Sequence, residues 1–350
     1  MGSLAHAAAT LFSRGRLAHV AVIVLALAAG GCTDLRLLDH DPPFIPDIGR
    51  WRAMGHTATL QGSADGMVFT SSIPMRAGDC RATLPDQEAT CADADGDGLA
   101  DDWERIALDR WEPVVRLHSS EPMLADMYGR AVAAGRVFPV DGPERHVHLL
   151  MALLYHRDYG RCSFTGHRGD VERVALDLRE RADGSLLLAG AYTAAHEYTA
   201  LDGSRLRTTA DELADLEFIT SADGQLRWRV YASSGKHATY SSRAACAGHA
   251  GAVCAREDCP GGGEDGRDLL FSIAWAGEPP PFCEGPLWSD LPFCGIGSGF
   301  TGVDRSPCAP PVREKLLRDP FAGHTENLGP PDPPATPHPC TDQAVNNLFR

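Results

Sequence analysis

The sequence predicts a mainly β protein: an antiparallel β-sandwich with short peripheral helices, stapled by disulfides. Three observations carry this. Runs such as "VERVALDLRE" and "LRWRVYASS" alternate apolar with polar residues, the period of a half-buried strand. The tripeptide Ala-Asp-Gly occurs at 182–184 and again at 222–224, each time between two such runs, which is a hairpin cue. Thirty-six glycines and 25 prolines in 350 residues favour many turns over long helical bundles.

From the N-terminus, Arg14 and Arg16 precede "LAHVAVIVLALAAGG". This apolar run is shorter than the roughly 20 residues that span a bilayer, and it ends in small residues before Cys32. The arrangement resembles a bacterial lipoprotein signal, with an ordinary cleaved secretory signal or a short N-terminal anchor as the alternatives. It implies removal of residues 1–31, lipidation of Cys32 and a lipid-anchored protein of the bacterial cell envelope. Thr33 follows the cysteine, where aspartate would favour the inner membrane, so the outer membrane is expected. Of 11 cysteines, Cys32 takes the lipid, and the ten others in an exported chain read as disulfides. Cys80 with Cys91 and Cys283 with Cys294 are the short-loop pairs.

Residues 32–90 read as a tether and irregular lead-in, opened by the proline-restricted "DHDPPFIPDIG". The calcium loop described next and the sandwich occupy 91–278, and a Pro/Gly/Cys-rich tail over 279–350 is expected to wrap the core. In "DDWERIALDRW" the spacing of Trp103, Ile106 and Leu108 or Trp111 predicts a helix closed by Pro113. "EPMLADMYGRAVAAG" predicts a second short helix stopped by Gly135. Strands are expected in "HVHLLMALLYH", "VERVALDLRE", "LLLAGAYTAAHEYT", "LEFIT", "LRWRVYASS" and "LLFSIAW".

The most specific motif is "DADGDGLADDWE". Asp93, Asp95 and Asp97 stand at positions 1, 3 and 5, Gly98 at 6, Leu99 at 7, Asp101 at 9 and Glu104 at 12, the pattern of an EF-hand-like calcium loop. A hard cation needs six to eight oxygens. Alternate residues turn carboxylates inward, glycine permits the sharp turn, and Leu99 offers its backbone carbonyl. The loop occurs once, so it reads as a structural clip rather than a signalling pair.

A second polar set lies on the strands. "GHRGDVERVALDL" places His167, Asp170 and Glu172 at the mouth of a strand, with Asp170 and Glu172 two apart and so on one face. His196 and His237 end or follow other strands. Converging carboxylates and imidazoles could hold a second divalent cation, whereas each residue alone is more commonly a surface or hydrogen-bonded group. The segments "RWEPVVRLHSSEPMLAD", "HLLMALLYH", "GHRGDVERVALDL", "AAHEY" and "LEFITSADGQLRWRVYASSGKHATYSS" resemble, in order, the vacuolar protein sorting-associated protein 62 family. More distantly they resemble the necrosis- and ethylene-inducing-like proteins. The resemblance spans roughly residues 102–242 and implies an antiparallel sandwich with a divalent cation used at a membrane surface. The matching positions are Gly166, His167, Arg168, Asp170, Glu172 and His237, and Val171 stands where the relatives have tryptophan.

Other signals point away from function. Arg168-Gly169-Asp170 overlaps the strand start and is a chance tripeptide. Cys246, His249, Cys254 and Cys259 miss the usual zinc-knuckle spacing and are expected in disulfides. There is no G-x-S-x-G, H-E-x-x-H or P-loop pattern, and a net charge of −15 argues against a nucleic-acid partner. The expectation is a calcium-binding envelope lipoprotein with a non-enzymatic surface role. Its partners would be the membrane, through the lipid anchor, and a glycan, lipid or protein ligand. The alternatives are a divalent-metal-dependent hydrolase and a structural envelope scaffold.

Overall fold

The computed structural model describes residues 55–119, 121, 132–140, 145–158, 167–195, 203–222, 224–249, 258–260, 266–270, 272–275 and 321. For 132, 134, 156–158, 167–171 and 272–275 the description covers the backbone only. Contacts divide the chain at Pro43, and all described residues belong to the unit that begins at Phe44. The N-terminal signal and Cys32 lie outside them. Among the described residues no helix is long and apolar enough to cross a membrane.

The chain is a β-sandwich. Its larger sheet contains strands β1 (Ala58–Ser63), β2 (Gly66–Ser71), β7 (Leu186–Thr193), β6 (His167–Glu180), β5 (His146–Asp158), β4 (Val132–Val140) and β13 (Ser272–Trp275) in that order, with β8 (Arg205–Arg207) paired to β7. The second sheet runs β11 (Thr239–Tyr240), β10 (Leu226–Ala232), β3 (Val114–His118) and β12 (Gly266–Leu270), with β9 (Phe218–Thr220) on β10. Pairing is antiparallel except between β3 and β10 and between β4 and β13. Four short helices accompany the sheets among the described residues: α1 (Ala77–Thr83), α2 (Asp101–Trp111), α3 (Ala210–Ala214) and α4 (Arg243–Gly248).

Alternation accounts for the core. Val147, Leu149, Met151, Leu153 and Tyr155 of β5 fall on one face beside Val174, Leu176 and Leu178 of β6. They join Val115 and Leu117 of β3 and Trp228 and Val230 of β10 in one buried cluster. The opposite face of β5 is also closed: Leu150, Ala152 and Leu154 are fully buried, hence the near-continuous apolar run in its sequence.

Helix α2 lies in this core. Every residue but Arg105 is buried, and the helix touches β1, β4, β5, β10 and β13. Trp103, Ile106 and Trp111 are packed as their spacing predicted, and the helix ends before Pro113. Its C-terminal end is secured by Arg227 of β10. The guanidinium donates to the Asp109 carbonyl at 2.6 Å and lies 3.3 Å from the Glu112 carboxylate, a cation at the negative end of a helix dipole.

Both Ala-Asp-Gly turns close hairpins, β6–β7 and β9–β10, with Gly184 at φ +80° and Gly224 at φ +78°. The lead-in is more ordered than expected: β1 and β2 form a hairpin on the edge of the large sheet, and α1 follows. The helix expected to stop at Gly135 is corrected. Residues 132–135 are strand, because β4 is held on one side by β5 and on the other by β13, and this pairing outweighs local helix propensity. "LLFSIAW" divides into β12 and β13, which belong to different sheets. Of the Pro-rich tail only Phe321 is described; its ring lies 4.5 Å from that of His148.

Candidate functional site

The acidic loop is pinned at both ends before any cation is considered. The Cys80–Cys91 disulfide joins α1 to the loop's entry, as the short spacing suggested. Its exit is the buried helix α2. An antiparallel bridge pairs Leu99 with Arg76, flanked by bonds from the Ala77 amide to the Gly98 carbonyl (3.1 Å) and from the Ala100 amide to the Met75 carbonyl (2.9 Å). The segment just before α1 thus braces the loop's middle.

Within this frame the carboxylates converge. Donor oxygens of Asp93, Asp95 and Asp101 lie within 4.8 Å of one another, as do those of Asp95, Asp97 and Glu104, so Asp95 is common to both groups. A calcium shell with bonds of 2.3–2.6 Å is roughly 5 Å across, so each group fits inside one. Backbone amides orient the side chains: Gly98 donates to Asp93 Oδ2 (3.2 Å), Leu99 to Asp97 Oδ1 (2.8 Å) and Ala94 to Asp101 Oδ1 (3.0 Å). Asp93 Oδ1 is buried with no hydrogen-bond partner. Gly98 has φ +89°, the conformation the turn at this position requires of a residue without a Cβ.

The electrostatics follow from this crowding. Burial pushes the Asp97 carboxyl up to about 6, the Leu99 amide opposes the shift, and Asp95 and Asp93 add to it. Asp101 is raised as well, chiefly by burial. Five carboxylates, one with an orphaned buried oxygen, fit a hard divalent cation in donor type and spacing.

The strand set is only partly described. His167 and Asp170 are placed by backbone in β6, where they pair with Asp158 and Tyr155, while their side chains and all of His196 lie outside the described residues. Glu172 is buried on β6 opposite Leu153. His237 is completely buried, at φ +61°, in the turn between β10 and β11. Its ring stacks on Tyr155 (centroids 4.1 Å apart, 2° between planes), and Nε2 is 3.4 Å from Glu121 Oε1. Glu121 Oε2 accepts from the Gly235 amide at 2.7 Å. Glu121 and Tyr155 were not singled out by sequence: Tyr155 reads as one more core residue of an apolar strand, and Glu121 as the start of a helix. The register places Asp170 opposite the tyrosine that stacks on His237. Cys246 pairs with Cys259, so these two form a disulfide as expected rather than a zinc knuckle.

No protein-family profile matches the sequence, and no curated protein matches it. Two solved structures are similar in shape. One, titled "Toxin fold for microbial attack and plant defense", has 12% identity and a TM-score of 0.28, over 49% of this chain and 72% of that one. The other, "Crystal structure of non-toxic HaNLP3 protein", has 11% identity and a TM-score of 0.29, over 54% and 82%. Both are necrosis- and ethylene-inducing-like proteins, weak neighbours whose overlap is confined to about half of this chain.

Proposed function

We propose that this is an exported, calcium-binding envelope protein in which the cation fastens the loop at 93–104 to the sandwich core, with a non-enzymatic surface role. The observation that carries the reading is the convergence of five carboxylates on Asp95 at the entry of a helix buried between the two sheets. Asp93, Asp95, Asp97, Asp101 and Glu104 would hold the ion, with the Leu99 carbonyl as the backbone ligand. Bound calcium would neutralise the loop and stabilise the N-terminal turn of α2. At millimolar calcium, a site of about 0.1 mM affinity contributes roughly 1.4 kcal/mol. The burial of His237 supports a structural part for that residue within the sandwich. Lipidation at Cys32 would hold the domain at the membrane, and kinship with the vacuolar protein sorting-associated protein 62 family belongs to this proposal.

The test is calcium titration of the full-length chain by calorimetry, with thermal unfolding followed in calcium and in chelator. One ion per chain at this site is expected, lost in Asp95→Ala, together with a higher unfolding midpoint in calcium for wild type only. Equal calcium binding by wild type and Asp95→Ala would overturn the assignment.

A further inference from the structure

We propose that His146, His148 and Asp177 form a binding site for a borderline transition-metal dication such as zinc, separate from the calcium loop and from the strand set at 167–172. His146 and His148 stand two apart on β5 and therefore on one face, and Asp177 of β6 is paired in register with His148. One donor atom from each of the three lies within 4.8 Å of the other two. His146 Nδ1 is 3.1 Å and His148 Nε2 3.7 Å from the same oxygen, Asp177 Oδ1. Ligands on a tetrahedral zinc at 2.0–2.2 Å stand about 3.3 Å apart, and both His–Asp separations lie within a few tenths of an ångström of that value.

The surroundings are built for this cluster. Strands β6 and β7 slip register here: Asp177 faces Gly190 but Leu178 faces Leu188, so Ala189 is extra and the ladder bulges beside the carboxylate. A Cβ on Gly190 would come within 3.1 Å of the Asp177 Cβ and 3.2 Å of Phe321, so glycine is what lets β7 approach this closely. The Phe321 ring lies against His148, tilted by 37°, and shelters it from one side. The His146 and His148 rings meet edge to face at 5.6 Å. Arg179 Nε lies 3.6 Å from the other carboxylate oxygen, Oδ2, which positions Asp177 while leaving Oδ1 toward the imidazoles.

Ligand chemistry sets the class of ion. Two imidazoles and one carboxylate suit zinc, cobalt, nickel or copper, whereas calcium selects all-oxygen shells. Three protein ligands leave a fourth position for water or another donor.

The experiment adds zinc, and cobalt as its coloured substitute, to metal-free full-length chain with calcium present throughout. The expected result is one equivalent of zinc, not displaced by excess calcium, and a visible cobalt spectrum of low coordination number. Replacing a direct ligand should weaken binding by at least about 100-fold, so His146→Gln and Asp177→Asn lose the spectrum while Asp95→Ala keeps it. X-ray absorption of the zinc-loaded wild type reads the ligands without any variant and should show two imidazoles and an oxygen. Absence of imidazole scattering, no stoichiometric binding, or unchanged affinity in both folded ligand variants would overturn the proposal and leave a hydrogen-bonded His–Asp–His cluster.

Discussion

At the residue scale, Asp97 carries an electrostatic cost that the proposed cation would relieve. Its carboxyl titrates near 6 in the fold against 3.8 ordinarily, mainly because it is buried. The calcium-free fold therefore favours the neutral acid. That contribution is full below about pH 3.8 and is lost as pH rises through about 6. Without calcium, the stability of wild type relative to Asp97→Asn should fall between pH 4 and 7. Denaturant titrations at each pH check this, and calcium affinity should weaken below about pH 6 as protons compete for the same oxygens. His237 makes the complementary case of a sealed polar residue. His237→Ala removes the Tyr155 stack and a partner of buried Glu121, and should cost about 3 kcal/mol in urea unfolding.

At the element scale, the acidic loop and α2 act as one unit, because the loop's last converging carboxylates, Asp101 and Glu104, are also in the first turn of a buried helix. Those acids sit at the positive end of the helix dipole, so the helix offsets part of their mutual repulsion even without an ion. At the other end, Arg227 compensates Asp109 and Glu112, all buried. Arg227→Ala removes a buried cationic partner from both carboxylates, although Arg110 still lies 3.8 Å from Asp109, and should destabilise by about 3 kcal/mol in denaturant titration, more than loss of the exposed Arg205–Glu212 pair. Turns obey a different rule. Gly184→Ala places a Cβ at φ +80° with open space around it, so its cost is backbone strain alone, about 1–2 kcal/mol, read as a lower unfolding midpoint.

At the scale of the whole molecule, one hydrophobic cluster joins both sheets and α2, and the Cys80–Cys91 bridge lies inside it. Closing an 11-residue separation contributes about 3 kcal/mol in the chain-entropy view. Because the same bridge fixes the loop's entry, disulfide and calcium should be coupled. Cys80→Ala/Cys91→Ala chain should unfold at lower temperature and bind calcium more weakly than wild type, as unfolding and calorimetry together would show.

Local features were legible in the sequence where a residue's placement depends on its near neighbours: the convergence of carboxylates over 93–104, the short-loop disulfide, the helix ended by Pro113, and the two Ala-Asp-Gly turns. The β class followed from alternation along the same strands. Tertiary structure alone decided the rest. It drew 132–135 into a strand between two partners, buried α2 between the sheets, set Glu121 beside His237, and brought His146 and His148 to Asp177. The physical reason is strand register. It joins residues about 30 positions apart with nothing in either local pattern to announce the pairing, so "HVH" reads as a strand until β6 supplies its carboxylate.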